Sequence, residues 1–167
     1  MAAFELYLVR HAVAEIRGGR WPDDGLRPLT PQGTARFTTA VAGLEAAGAE
    51  VDEIWTSPLV RARQTAELLR KGLGNRPRVR VLTALSPGHS PAQVLTALAR
   101  HRPARRIALV GHEPSLGNLA GELLGTRKPV ALKKGAVCRI DAGQLRAGGS
   151  GALVWLLPPR VLRALGR

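Results

Sequence analysis

The sequence predicts an α/β protein in which a mainly parallel sheet lies between two layers of helices. Short apolar segments alternate with longer helical patterns over the first three quarters of the chain, and two further apolar segments follow near the end. Such alternation favours a parallel sheet covered on both faces. The glycines around residues 148–151 favour a turn between the last two strands, which would form an antiparallel hairpin at one edge.

Six short apolar segments are predicted to be strands. The first, 4–9, leads directly into a polar loop. The others are 54–56, 79–82, 107–110, 136–140 and 153–157. Their length and their aliphatic character are typical of strands that are buried in a sheet.

Four longer segments carry helix start and stop signals. Thr30 is suited to cap a helix whose first turn contains Pro31, and an amphipathic body continues to Ala47, where Gly48 can end it. Three further helices are predicted at 59–73, 91–99 and 114–124.

Length and composition predict a single domain over residues 1–167. A chain of 17.8 kDa with 45% hydrophobic residues can bury one core of ordinary size. The longest apolar run, 152–157, is too short to cross a bilayer, so we expect a cytoplasmic protein without a membrane partner. Cys138 is the only cysteine, which excludes an intrachain disulfide and metal sites built on cysteine pairs.

The chain is strongly basic. Its 25 Lys and Arg residues against 12 Asp and Glu residues give a net charge of +13, which attracts phosphates, acidic proteins or nucleic acid. The cations are spread along the chain, with short clusters at 76–80, 100–106 and 127–134, and aromatic residues make up only 4%. Nucleic-acid binders usually concentrate cations and add aromatic residues for stacking. The composition therefore favours an arginine-rich but ordinary surface over a nucleic-acid interface.

Basic side chains follow three of the predicted strands. Arg10 and His11 come directly after the first strand, Arg61 follows the second, and His112 and Glu113 follow the fourth. In open sheets, reactive groups gather beyond the carboxyl ends of the strands. A single histidine or arginine at such a position is often only a loop residue, but three coincident cases favour a shared site.

Four ordered motifs carry a family resemblance that covers nearly the whole chain. They are LVRHA, RPLTPQG, SPLVRARQTAELL and LVGHEPSL, at 8–12, 27–33, 57–69 and 109–116. Together they resemble the histidine phosphatase superfamily and, more narrowly, its small bacterial phosphohistidine phosphatases. The resemblance implies a phosphoglycerate mutase-like fold, a three-layer α/β/α sandwich with an antiparallel edge.

The resemblance also assigns roles to individual residues. It implies that His11 is transiently phosphorylated, that Arg10 and Arg61 hold the phosphoryl oxygens, and that His112 completes the pocket. Arg27 matches a further phosphate-binding arginine. His11 must be neutral in order to attack phosphorus, and we expect the surrounding cations to keep it so. Guanidinium groups supply the fixed positive charge, so neither a metal nor another cofactor is expected.

The missing proton donor bears on the substrate. Ester phosphatases and mutases of this superfamily use a carboxylic acid after the third strand, but no Asp or Glu occurs between residues 68 and 112. An alkoxide needs a general acid in order to leave, whereas the nitrogen of phosphohistidine is already basic. Glu113, which we include among the substrate-binding candidates, and His89 are alternative donors. If either serves, small phosphate esters or phosphorylated serine and threonine become possible substrates.

Two rival functions stay open at this point. A basic binding module would keep the pocket without turning over substrate, and the charge of +13 supports it. A phosphoglycerate mutase is a third possibility, against which the missing donor and the short loops argue. The expected partner is a phosphorylated protein or a small phosphate compound, and the sequence does not determine the oligomeric state.

Overall fold

The structure is a computed structural model that describes residues 3–126, 128–149 and 151–167. Arg127 of the third basic cluster and Ser150 of the predicted hairpin turn lie outside the described residues. The strands are β1 (Phe4–Arg10), β2 (Glu53–Thr56), β3 (Arg78–Val81), β4 (Arg106–Gly111), β5 (Val137–Ala142) and β6 (Ala152–Leu157). The helices are α1 (Pro31–Ala46), α2 (Val60–Gly72), α3 (Pro91–Arg100), α4 (Ser115–Leu123) and α5 (Pro159–Leu165).

One mixed sheet organises these elements in the order β3-β2-β4-β1-β5-β6. The first four strands along the chain pair in parallel, and β5 and β6 add to one side of the sheet as antiparallel strands. The predicted fold class is therefore confirmed, including the antiparallel edge. Each predicted strand lies within two residues of its observed bounds at either end.

Alternate side chains of each strand pack against opposite helix layers. In β1, Tyr7 and Val9 belong to a core formed with α1, α2 and α5, whereas Leu6 and Leu8 belong to a core formed with α3 and α4. Because successive side chains of a strand point to opposite faces, an uninterrupted apolar strand such as β1 requires cover on both. The three-layer arrangement follows from this pattern.

The helix signals in the sequence act as expected. The Thr30 hydroxyl accepts a hydrogen bond of 2.8 Å from the amide of Gly33 at the start of α1. Ser90 and Gln93 form a reciprocal capping box at the start of α3. These caps set the positions at which the chain leaves the loops that follow β1 and β3.

Helix α5 is not predicted by the sequence analysis. It begins at Pro159, a favoured first-turn residue, and buries Leu162 against α1. A Cβ atom on Gly43 of α1 would lie 1.8 Å from the Leu162 carbonyl oxygen, so only glycine permits this close approach.

Within the described ranges, no helix is long and apolar enough to span a bilayer.

Candidate active site

The ends of three neighbouring strands bring the predicted site together. Arg10 at the end of β1 pairs with Gly111 at the end of β4, and the amide of His11 donates a hydrogen bond of 3.0 Å to the Gly111 carbonyl oxygen. On the other side of β4, the amide of Ser57 donates a hydrogen bond of 3.0 Å to the carbonyl oxygen of Val110. The residues that follow β1, β2 and β4 therefore emerge side by side.

His11 and His112 lie next to each other in the interior. Their ring centroids are 5.1 Å apart, and their exposed fractions are only 5% and 3%. Nδ1 of His11 lies 2.7 Å from the carbonyl oxygen of Ala12. A carbonyl oxygen can only accept, so Nδ1 of the neutral ring carries the proton and Nε2 keeps its lone pair. Nε2 of His112 lies 2.8 Å from the hydroxyl of Ser57.

Both imidazoles are strongly biased toward the neutral form. Burial is the main cause that lowers the pKa of His11 to about 4, and the charges of Arg61 and Arg10 lower it further. Burial also lowers the pKa of His112 to about 3, with additional contributions from His11 and Arg61. From the sequence we expect cations to keep His11 neutral; they do lower its pKa, but desolvation has the larger effect.

Arg61 is buried and Arg10 is half-buried, and the charges of both act on His11. Arg10 donates through Nη1 to the carbonyl oxygen of Leu132 at 2.7 Å, and Arg61 is 3% exposed. Among the described residues, four side-chain nitrogens are buried without a hydrogen-bond partner: Nε of Arg10, Nε of Arg61, Nδ1 of His112 and, outside the site, Nε1 of Trp55. Buried polar groups without a partner are rare. Three of these nitrogens belong to residues that the sequence nominates for the site, and they keep a hydrogen-bonding capacity that the described residues do not use.

Asp24 joins the site although the sequence analysis does not identify it. Its carboxylate accepts hydrogen bonds from Nη2 of Arg61 at 2.9 Å and from Nε of Arg27 at 3.0 Å. Its carbonyl oxygen accepts from Nη1 of Arg61 at 2.7 Å. Arg27 also donates to the carbonyl oxygen of Glu15 at 2.9 Å. One carboxylate thus fixes two of the arginines that the family resemblance assigns to phosphate binding.

The Asp24 carboxylate is held in its ionised form. Burial by itself raises the pKa of Asp24, but the charges and hydrogen bonds of Arg61 and Arg27 outweigh burial and lower the pKa below its usual value. The sequence does contain a weak signal, because Asp24 stands three residues before Arg27 in the loop that follows β1. Its contact with Arg61, 37 residues away, is visible only in the folded chain.

The other two candidates, Glu113 and His89, are half-buried and form their hydrogen bonds with backbone groups. The Glu113 carboxylate accepts a hydrogen bond from the amide of Leu132 at 3.3 Å at the start of α4, and burial raises its pKa. Nδ1 of His89 lies 3.1 Å from the carbonyl oxygen of Ser86 in its own loop. Arg63, two residues after Arg61, is exposed on α2. In residues 3–126, 128–149 and 151–167, no three His, Cys, Asp or Glu side chains are grouped as metal ligands.

Comparison with known proteins gives similarities in sequence and in fold. Residues 6–86 match the model of the histidine phosphatase superfamily (branch 1). An uncharacterised protein of Picosynechococcus sp. is 37% identical over 147 residues, covering 85% of this chain and 87% of that protein. The phosphohistidine phosphatase SixA of Escherichia coli is 26% identical over 158 residues, covering 93% and 94% of the two chains. The structure of the protein histidine phosphatase SixA complexed with tungstate superposes with a TM-score of 0.82 at 24% identity, covering 95% and 99%.

Proposed function

The chain belongs to the histidine phosphatase superfamily, and on this basis we propose that it is a metal-independent, single-domain phosphatase that forms a phosphoenzyme on His11 and removes phosphate from phosphohistidine on proteins. The proposal depends most on one observation: the Nδ1 proton of His11 is engaged by the Ala12 carbonyl oxygen at 2.7 Å. This hydrogen bond fixes the ring and leaves the Nε2 lone pair as the nucleophile.

The surrounding donors suit the transition state of phosphoryl transfer. Negative charge is spread over the peripheral oxygens in that state, so fixed donors stabilise it. We assign three such donors to the unpartnered nitrogens of Arg10, Arg61 and His112. In this assignment the Ser57 hydroxyl donates to Nε2 of His112, and Nδ1 of His112 carries a proton that is available to a phosphoryl oxygen.

The reaction then proceeds in two balanced steps. In the first, Nε2 of His11 forms a bond to phosphorus while the phosphorus–nitrogen bond of the substrate breaks, and the released histidine leaves as neutral imidazole after protonation. In the second, water attacks phosphorus, the bond to His11 breaks, and inorganic phosphate and a proton are released. Dividing the displacement into two steps avoids a direct attack by water on the substrate.

The chemistry of the leaving group favours phosphohistidine over phosphate esters. Among the described residues, Asp24 is the one carboxylate that contacts Arg27 and Arg61, and its lowered pKa makes it a poor proton donor at neutral pH. Glu113 is engaged by a backbone amide at the start of α4. The second ring nitrogen of a phosphohistidine is basic and can take its proton from solvent, so this substrate needs no enzymatic acid.

The proposal is tested by comparing three substrates: a protein phosphorylated on histidine, a phosphoserine peptide and a sugar phosphate. We expect clear preference for the first and a loss of at least about a thousandfold in His11→Ala. His101→Ala is the matched control, because His101 is exposed at the end of α3, at the opposite edge of the sheet, and should retain activity. A phosphoenzyme trapped on the unsubstituted protein should be labile to acid and stable to alkali, and a chelator should not change the rate.

The alternatives give different results. Faster turnover of the phosphoserine peptide or the sugar phosphate would identify an ester phosphatase. Absence of turnover of all three substrates, together with salt-dependent binding of DNA, would identify a basic binding module. Full activity of His11→Ala would exclude the assigned nucleophile.

A further inference from the structure

A second basic cavity lies directly beside the candidate active site. Its volume is about 190 Å³, and its wall includes Ala12, the residue that follows His11. The cations in the wall come from three elements: Arg36 of α1, Lys134 of the loop before β5 and Arg163 of α5. Helix α5, which packs against α1, therefore forms part of the cavity wall.

The charge of this cavity is not balanced within the chain. None of the described residues that line it is acidic. Among the ion pairs and side-chain hydrogen bonds of the described residues, none involves Arg36, Lys134 or Arg163. By contrast, Arg63 and Arg106 line other cavities together with glutamates, and the cavity of Arg100 and Arg146 has no acidic residue but two cations rather than three. Three cations without a carboxylate make this cavity a place for an anion.

The cavity is connected to His11 by backbone hydrogen bonds and by the charge of Lys134. The amide of Gly135, which follows Lys134, lies 3.1 Å from the carbonyl oxygens of both Arg10 and His11. Burial is the main cause of the low pKa of His11, and the charge of Lys134 also contributes to it. Ala12, which lines the cavity, is the residue that follows His11, so the cavity adjoins the loop that holds the nucleophile.

We propose that this cavity is a second anion site, which receives a carboxylate side chain of the phosphorylated protein substrate next to its phosphohistidine. The inference rests on the function proposed above and narrows the substrate class. Phe37 and Pro159 give the cavity apolar walls that suit the aliphatic stem of an acidic residue. Arg36 and Lys134 are exposed and Arg163 is half-buried, so a side chain on another protein can reach all three.

The test uses two synthetic peptides that are phosphorylated on histidine and differ only in two flanking residues, which are Glu in one peptide and Gln in the other. At low salt we expect the protein to favour the Glu peptide by about three- to tenfold in kcat/KM, the range for a few partly exposed ion pairs. The preference should decrease when salt is raised from about 0.05 to about 0.3 M. In the double variant Arg36→Gln/Arg163→Gln, the ratio between the two peptides should approach one.

The matched control removes the same charge at a distant cavity. Arg100 and Arg146 line a cavity beside α3, and Arg100→Gln/Arg146→Gln should keep the preference. Lys134→Gln should lose part of the preference. This single variant, together with the Tm of the double variant, shows whether a folding defect explains the loss in the double variant. Equal rates for the two peptides, or an unchanged preference in Arg36→Gln/Arg163→Gln, would overturn the proposal.

Two further experiments distinguish the remaining outcomes. If Arg36→Gln/Arg163→Gln loses a preference for a sugar bisphosphate over a monophosphate but keeps its peptide preference, the occupant is a second phosphate and the carboxylate assignment is wrong. If neither phosphopeptide is turned over, the proposed function fails. Fluorescence anisotropy with the unphosphorylated Glu and Gln peptides then still tests the cavity, and equal affinities would overturn it.

Discussion

The two neutral histidines make folding stability depend on pH in a defined direction. His11 and His112 have pKa values of about 4 and about 3 in the folded chain, below their ordinary value of 6.5. The unfolded chain therefore binds protons more readily than the folded chain. The associated stability is fully present above pH 6.5 and is lost as the pH falls toward the folded-state values.

The size of this effect follows from the two shifts. At pH 5 an unfolded histidine is almost fully protonated, whereas the buried rings stay neutral. Each of the two histidines therefore lowers the free energy of unfolding by about 2 kcal/mol relative to its value at pH 8. The pair should therefore lower the free energy of unfolding by about 4 kcal/mol between pH 8 and pH 5. This is a large part of the roughly 5–15 kcal/mol that is typical of a folded protein.

Urea unfolding at pH 8 and pH 5 measures the change in the unsubstituted protein and in His11→Asn/His112→Asn. The double variant should lose about 4 kcal/mol of the pH dependence and each single variant about half. Glu113, whose pKa is raised by burial, opposes the histidines at low pH but is common to all variants, so it cancels in the comparison. The same pH dependence in the double variant and the unsubstituted protein would refute the reasoning.

Three other predictions concern activity and packing. The acidic limb of kcat/KM should lie near pH 4, because protonation of His11 removes the nucleophile there; a limb near 6.5 would contradict the effect of burial. Asp24→Asn should lower the unfolding free energy by about 1–2 kcal/mol and Tm by about 2–8 °C, since Arg61 has only 4% of its side chain exposed. The same variant should tighten inhibition by inorganic phosphate, because a negative charge is lost; weaker inhibition with unchanged Tm would oppose this view. Gly33→Ala would place a Cβ atom 2.1 Å from the carbonyl oxygen of Val13, so we expect a cost of about 1–3 kcal/mol and reduced kcat/KM, measured by thermal unfolding and steady-state kinetics.

Much of the fold is determined locally in the sequence. Strand and helix periodicity, the caps at Thr30 and Ser90 and the alternation of elements predict the layered sheet, because each of these signals lies within a few residues of chain. Helix α5 is missed because it is short. Its position depends on Gly43, more than a hundred residues earlier, which admits the backbone of Leu162.

The candidate site, like the fold, could be predicted only in part from the sequence. Arg10, His11 and His112 could be nominated from the sequence, because parallel strands deliver their carboxyl ends to one edge of the sheet. The degree to which burial lowers the histidine pKa values, and the carboxylate of Asp24 that fixes Arg61, were decided only by the tertiary structure. Desolvation and long-range hydrogen bonds depend on what packs around a group from distant parts of the chain, and no local pattern of residues encodes them.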